Sequence, residues 1–249
     1  MKSETKLLVV MGAIVALGAG FLTFTRDPSL DPPKPPPTPA PLTEARFVEL
    51  EKGTRHFKGP ADARFTVIEF ADFQCPSCRF AYETAIKDLG TKFPQVRFGF
   101  RHFPLERPHP FAMPAALMSE VAGRQAPEKF WESYEALMKG KEELVDTVFI
   151  EKAAVAAKLD MERYKKEKSD TALLKTVQAD RDTGISFGVN ETPTFFVHDN
   201  KTKRTMMVTG YRQLYPELKD IPGLPTPMPP SDGSATPPPG DGSAPSATK

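Results

Sequence analysis

The chain has 249 residues, with 33 Lys and Arg against 32 Asp and Glu, a formal net charge of +1, 27 prolines and two cysteines. A balance this close to neutral offers no field to draw in nucleic acid or another charged polymer, and without a second cysteine pair a tetrahedral zinc site lacks its ligands. Eight prolines crowd into residues 27–42 and nine into 221–249, which confines the folded part to about 43–220.

Residues 7–24 (LLVVMGAIVALGAGFLTF) are uncharged and follow Lys2 and Lys6. A run of this length just spans a bilayer, so segment 1–26 reads as an N-terminal signal-anchor, a transmembrane helix with its basic end in the cytoplasm. A cleaved signal peptide is the competing reading. Either one exports the domain to a compartment where disulfides persist, periplasmic or on the cell surface. Residues 27–42 read as a polyproline-like linker reaching roughly 50 Å. The tail 221–249 is a Pro, Gly and Ser-rich segment expected to be disordered.

Within the folded part, residues 55–60 suggest a short strand and turn. Phe65, Val67, Ile68 and Phe70 then form an apolar run that predicts a buried strand ending near Phe73. A helix is expected next, because Pro76 suits a first helical position and Phe80, Ile86 and Leu89 recur at helical spacing up to Gly90. The only cysteines, Cys75 and Cys78, sit at its start. Unpaired N–H groups there favour a thiolate, so Cys75 is the expected reactive thiol and Cys78, three residues on, its deeper resolving partner. Glu69, on the preceding strand, is placed to take the proton from Cys78 if it points inward. A structural staple is disfavoured because so short a loop constrains little of the unfolded chain.

Residues 95–104 alternate Val96, Phe98 and Phe100 against Arg97 and Arg101, which predicts a second strand and a βαβ unit. From 109 to 187 the periodicity turns helical. Two amphipathic segments carry Ala112 to Val121 and Phe130 to Met138, a third Val148 to Leu159, and a fourth Leu173 to Ile185. The aromatic and Met residues there read as core. A proline turn at 188–193, a strand to Val197, a polar hairpin at 201–203, a returning strand at 205–210 and a short helix at 213–219 close the chain. Asp72, Gln74, His102 and His109 lie near the cysteines in sequence or beyond the second strand, and the sequence assigns them no chemistry.

Taken together, VIEFADFQCPSC (67–78), FRHFPL (100–105) with HP (109–110), FWESYEALM (130–138), GVNETPTFFV (188–197) and VTGYRQL (208–214) resemble the DsbA-like thiol–disulfide oxidoreductases. These are thioredoxin-like α/β folds carrying an inserted α-helical domain, here about 109–187 within 43–220. The resemblance implies that Cys75 is the nucleophile, Cys78 the resolving cysteine and Glu69 the buried acid. It also implies that Pro193 is a cis proline facing the cysteines, with the backbone of Thr192 free to pair with a substrate strand. From spacing alone an ordinary trans proline is the expected reading.

Pro76 and Ser77 modulate the motif. Ser77 stands where strongly oxidising members carry histidine, and Thr192 where many carry valine, so the resemblance points to a less oxidising couple. The implied activity is disulfide formation in exported cysteine-containing proteins, with a membrane redox partner recycling the site and a monomer as the catalytic unit. No cofactor and no metal is implied. A reductase or isomerase is the alternative, and a non-catalytic peptide-binding or metal-binding module is the rival from another class.

Overall fold

In the computed structural model, which describes residues 41–139, 146–219 and 221, a central sheet is covered on both faces. The first helix, α1 (Glu44–Lys52), starts where the Thr43 side chain accepts from the Arg46 N–H. It was not foreseen: nine residues with one short apolar stripe carry little periodic signal. It nonetheless buries Phe47 and Leu50. The edge strand β1 (His56–Lys58) and central strand β2 (Phe65–Ala71) follow. Helix α2 (Pro76–Ala81) continues as a single π turn over Tyr82–Ile86, and β3 (Val96–His102) returns parallel to β2.

Five helices lie between β3 and β4 among the described residues: α3 (Ala112–Gln125), α4 (Pro127–Met138), α5 (Thr147–Ala156), α6 (Met161–Glu167) and α7 (Thr171–Ser186). The sequence reading anticipated four and passed over α6, a charged seven-residue helix that the Asp160 side chain caps and that buries one residue, Tyr164. Strands β4 (Thr194–Asp199) and β5 (Thr205–Thr209) pair antiparallel, and α8 (Tyr211–Glu217) ends the fold.

The sheet order is β1-β3-β2-β4-β5, with β2 and β3 parallel and the other pairs antiparallel. Period-two alternation sends Phe65, Val67 and Ala71 into the larger core, beneath α2 to α6, and Ile68 and Phe70 into a smaller one with Phe47 and Leu50 of α1. Glu69 falls by this parity on the larger side, the side of both cysteines.

Three expectations are corrected here. The α2 segment ends at Ile86 rather than Gly90, and Phe80 is 53% exposed instead of buried, because α2 turns Cys78, Ala81 and Tyr82 inward. Arg101, read as the polar side of β3, is 5% exposed, since α1 and α7 cover that face. Among the described residues no helix is long and apolar enough to cross a membrane. The anchor proposed for 7–24 and the linker 27–42 lie outside the described residues, as does nearly all of the tail.

Candidate active site

Cys75 is the N-cap of α2, with extended backbone, and Pro76 occupies the first helical position. The β2 strand delivers the chain here through a turn in which Cys75 N–H donates to the Asp72 carbonyl at 3.1 Å. Both cysteines are free thiols, Cys75 7% exposed and Cys78 fully buried. Their acidities diverge. The Cys78 thiol donates to the Cys75 sulfur, and this, with help from the Thr192 side chain and the Cys78 backbone N–H, pulls Cys75 down to about 6 against the opposing effect of burial. Burial pushes Cys78 well above the ordinary thiol range, and its hydrogen bond to Cys75 adds to that. One sulfur is therefore a thiolate at neutral pH and the other keeps its proton.

Beneath them Glu69 is completely buried. The Tyr134 hydroxyl, from α4, donates to Glu69 Oε2 at 2.9 Å, while Oε1 has no partner among the described residues. Burial raises Glu69 to about 8, with Tyr134 and the charge of Lys58 pulling the other way. Lys58 ends β1, and its Nζ lies 5.0, 5.4 and 6.0 Å from the ring centroids of Trp131, Phe98 and Tyr134. Gly59 and Gly90, both at positive φ, allow that corner to close: a Cβ on Gly90 would sit 2.8 Å from the Lys58 carbonyl. A carboxyl with a pKa near working pH can both hold and release a proton.

The Thr192-Pro193 peptide is cis. The Thr192 carbonyl lies 3.5 Å from Cys75 Sγ, within hydrogen-bond reach of the sulfur when it carries its proton, and the Thr192 hydroxyl is buried with no partner besides Cys75 among the described residues. No main-chain group among those residues accepts from the Thr192 N–H. Pro76 and Ser77 are exposed beside Cys75.

Asp72 and Gln74 form a clasp that sequence reasoning left without a role. Asp72 is 2% exposed. Its Oδ1 accepts from Gln74 N–H at 2.7 Å, and its Oδ2 accepts from Leu105 N–H at 2.9 Å and from His109 Nδ1 at 2.7 Å. Gln74 Oε1 in turn accepts from Phe111 N–H at 2.7 Å. The loop after β3 is thus tied at three points to the turn that carries Cys75. The sequence signal was the pair of polar residues around Phe73 and the histidine-proline step at 109–110; nothing local said that they meet.

The profile of the family described as Thioredoxin matches residues 51–214. The chain belongs to the thioredoxin family. The fold of this thioredoxin-family protein is shared with the thiol-disulfide exchange protein alpha-DsbA2 from Wolbachia pipientis, with a TM-score of 0.57 at 18% identity, covering 70% of this chain and 95% of that one. The catalytic domain of ScsC from Proteus mirabilis superposes with a TM-score of 0.57 at 20% identity, covering 72% of this chain and 97% of that one. Oxidised BdbD from Bacillus subtilis gives 0.55 at 25% identity, covering 68% and 92%. Among curated sequences, a Na(+)/H(+) antiporter NhaA 3 from Salinispora tropica is 34% identical over 155 residues, which is 62% of this chain but 23% of the antiporter. The chain spans less than a third of the curated antiporters it first matches, and ion exchange is said of those proteins alone.

A second charged cluster of the thioredoxin-family protein sits away from the cysteines. His102, Glu120 and Asp180 are buried with ligand-type atoms within 4.8 Å of one another. Arg55 Nη2 already reaches Glu120 Oε1 at 3.0 Å and Asp180 Oδ2 at 2.8 Å, and Arg101 Nη2 reaches Asp180 Oδ1 at 2.7 Å. His56 and His102 each contact Glu120 Oε1 at 2.9 Å. Two guanidinium groups supply the cation here and would repel a metal ion, so the cluster reads as an ion-pair brace. His102, to which the sequence assigned no chemistry, belongs to it.

Proposed function

We propose that this protein is an extracytoplasmic enzyme that forms disulfide bonds in exported cysteine-containing proteins through Cys75-Pro76-Ser77-Cys78. The observation that carries the reading is the asymmetry of the pair: Cys75 at the head of α2 with its acidity near 6, and Cys78 buried below it with its proton retained.

In the oxidising direction a substrate thiolate attacks Cys75 Sγ of the enzyme disulfide. The bond to Cys78 breaks, and Cys78 leaves as a thiolate that takes a proton from the Glu69 carboxyl. A second substrate thiolate then attacks the substrate sulfur of the mixed disulfide and Cys75 leaves as a thiolate. Two electrons pass from the substrate, now a disulfide, to the enzyme, now a dithiol. Cys75, the better leaving group, is the sulfur joined to substrate. A segment docking along Thr192 and Pro193 would meet the unpaired Thr192 N–H, which supports recognition by main-chain pairing. A membrane-bound redox partner would reoxidise the pair. Anchoring through residues 7–24 and a monomeric unit are parts of the same proposal.

The second reading, a reductase or isomerase, draws on Ser77 and Thr192. The redox potential decides between them. Because a Cys75 acidity near 6 lies between the values of about 3.5 and about 7 typical of a strong oxidant and of a reductant, the couple is expected between about −120 and about −270 mV in glutathione buffers. A value at or below the lower limit would move the assignment to reductase. In parallel, Cys78→Ser is expected to accumulate a mixed disulfide with a disulfide-bonded protein, formed as the Cys75 thiolate attacks that disulfide and the second substrate sulfur leaves as a thiolate, and Cys75→Ser to form none; turnover by the Cys75→Ser variant would end the proposal.

A further inference from the structure

Position 77 places a serine between the cysteines, so the charge that would steady the Cys75 thiolate from within the motif is absent. The fold brings a histidine to the same neighbourhood by another route. His109 lies in the loop after β3, 15% exposed, with Nδ1 held 2.7 Å from Asp72 Oδ2, and Asp72 is three residues before Cys75 in the turn that ends on it. The same loop is fastened by Leu105 N–H to Asp72 and by Phe111 N–H to Gln74, which leaves the imidazole little freedom to swing away.

We infer that His109, fastened by Asp72, is a positioning residue for the nucleophile whose imidazolium supplies the Cys75 thiolate with the positive charge that Ser77 cannot.

Asp72 alone is the wrong neighbour for a thiolate, since its buried negative charge opposes ionisation of Cys75. A proton on His109 offsets that charge. The hydrogen bond to Asp72 is the largest influence raising the pKa of His109, and the Cys75 charge raises it further against the cost of burial. Coupling between two sites is reciprocal, so a thiolate that favours the imidazolium is favoured by it to the same extent. The charged groups that act on the imidazole are Asp72 on the turn after β2 and Cys75 at the head of α2; Cys78 and Glu69 lie beneath Cys75 and act on it from the other side.

The sign follows. Stabilising the thiolate stabilises the reduced enzyme and makes the couple more oxidising. The contribution is absent below the Cys75 value of about 6, where the sulfur is protonated. It is present between that value and the raised value of His109, and it disappears above the latter as the imidazole loses its charge.

This inference rests on the redox role proposed for Cys75 and Cys78, and one experiment separates the two. The glutathione equilibrium constant of the full chain and of His109→Gln is measured from pH 5 to pH 9, with thermal unfolding as the check on folding. Near pH 7 the variant is expected to be about fivefold less oxidising, about 20 mV, with the two curves meeting at both ends of the range. His109→Lys keeps a charge that does not titrate there, so it should hold the wild-type constant at pH 7 and remain more oxidising than wild type at pH 9. A pH-independent offset for His109→Gln, no offset at all, or a lysine variant that behaves like the glutamine one overturns the inference while leaving the redox role standing. Wild-type protein that exchanges no disulfide with glutathione removes the redox role itself.

Discussion

At the scale of single residues, Glu69 carries a cost that function explains. An unpaired buried carboxylate is expensive, and the protein meets the expense by keeping the proton, so the group is raised to about 8. The folded chain then holds a proton that the unfolded chain has released above the ordinary carboxylic range. The stabilisation from burying a neutral acid is complete below about 4.5 and declines as pH rises towards 8. Glu69→Gln is expected to abolish that decline, so that urea midpoints at pH 5 and pH 8.5 differ less than in wild type, by the equivalent of a few kcal/mol. The same variant should slow resolution of a mixed disulfide by Cys78 by about 100-fold at pH 7, since no carboxylate remains to take the thiol proton. Unchanged resolution kinetics would reduce Glu69 to a structural oddity.

Between elements, the ion-pair brace does what apolar packing does elsewhere. Arg55 leads into β1, Arg101 is on β3, Glu120 on α3 and Asp180 on α7, so four separate segments converge on one buried cluster. His102 N–H also donates to Asp180 Oδ2 at 3.3 Å. Nearby, α7 approaches the sheet so closely that a Cβ on Gly184 would lie 2.7 Å from the Phe103 ring. Removing one partner strands the others: Asp180→Ala leaves two guanidinium groups facing each other at the brace and is expected to cost about 3–5 kcal/mol in urea unfolding. Since the cysteines are not part of the brace, the alkylation rate of Cys75 in the folded variant should stay near wild type.

Across the whole molecule, the helices between β3 and β4 do more than lengthen the chain. The sheet alone would place Glu69 and the cysteines under an open surface. The helical layer closes it and, through α4, sets the Tyr134 hydroxyl on Glu69 Oε2 from a position 65 residues further along the chain. That hydroxyl stabilises the ionised carboxylate, as the charge of Lys58 does. In Tyr134→Phe the Glu69 pKa should therefore rise further, moving the pH at which stability declines upward; urea midpoints across pH 6 to 10 report the displacement. A variant with the wild-type pH profile would mean that Tyr134 only fills space.

Sequence alone determined the local features of this protein. Alternating apolar residues marked β2 and β3, Pro76 marked the start of α2, and the position of Cys75 at that start made it the proposed reactive thiol, because each of these depends on residues a few places apart. The parity of β2 likewise puts Glu69 on one face, although which face is covered by the helices is a tertiary matter. Short or charged helices such as α1 and α6 escaped notice because one or two buried positions leave no period to read. What only the tertiary structure decided are the long-range meetings: Tyr134 with Glu69, Arg101 with Asp180, and His109 with Asp72 beside Cys75. Hydrogen bonds and ion pairs of this kind depend on orientation to within a few tenths of an ångström, and no pattern along the chain encodes which distant partner will satisfy them.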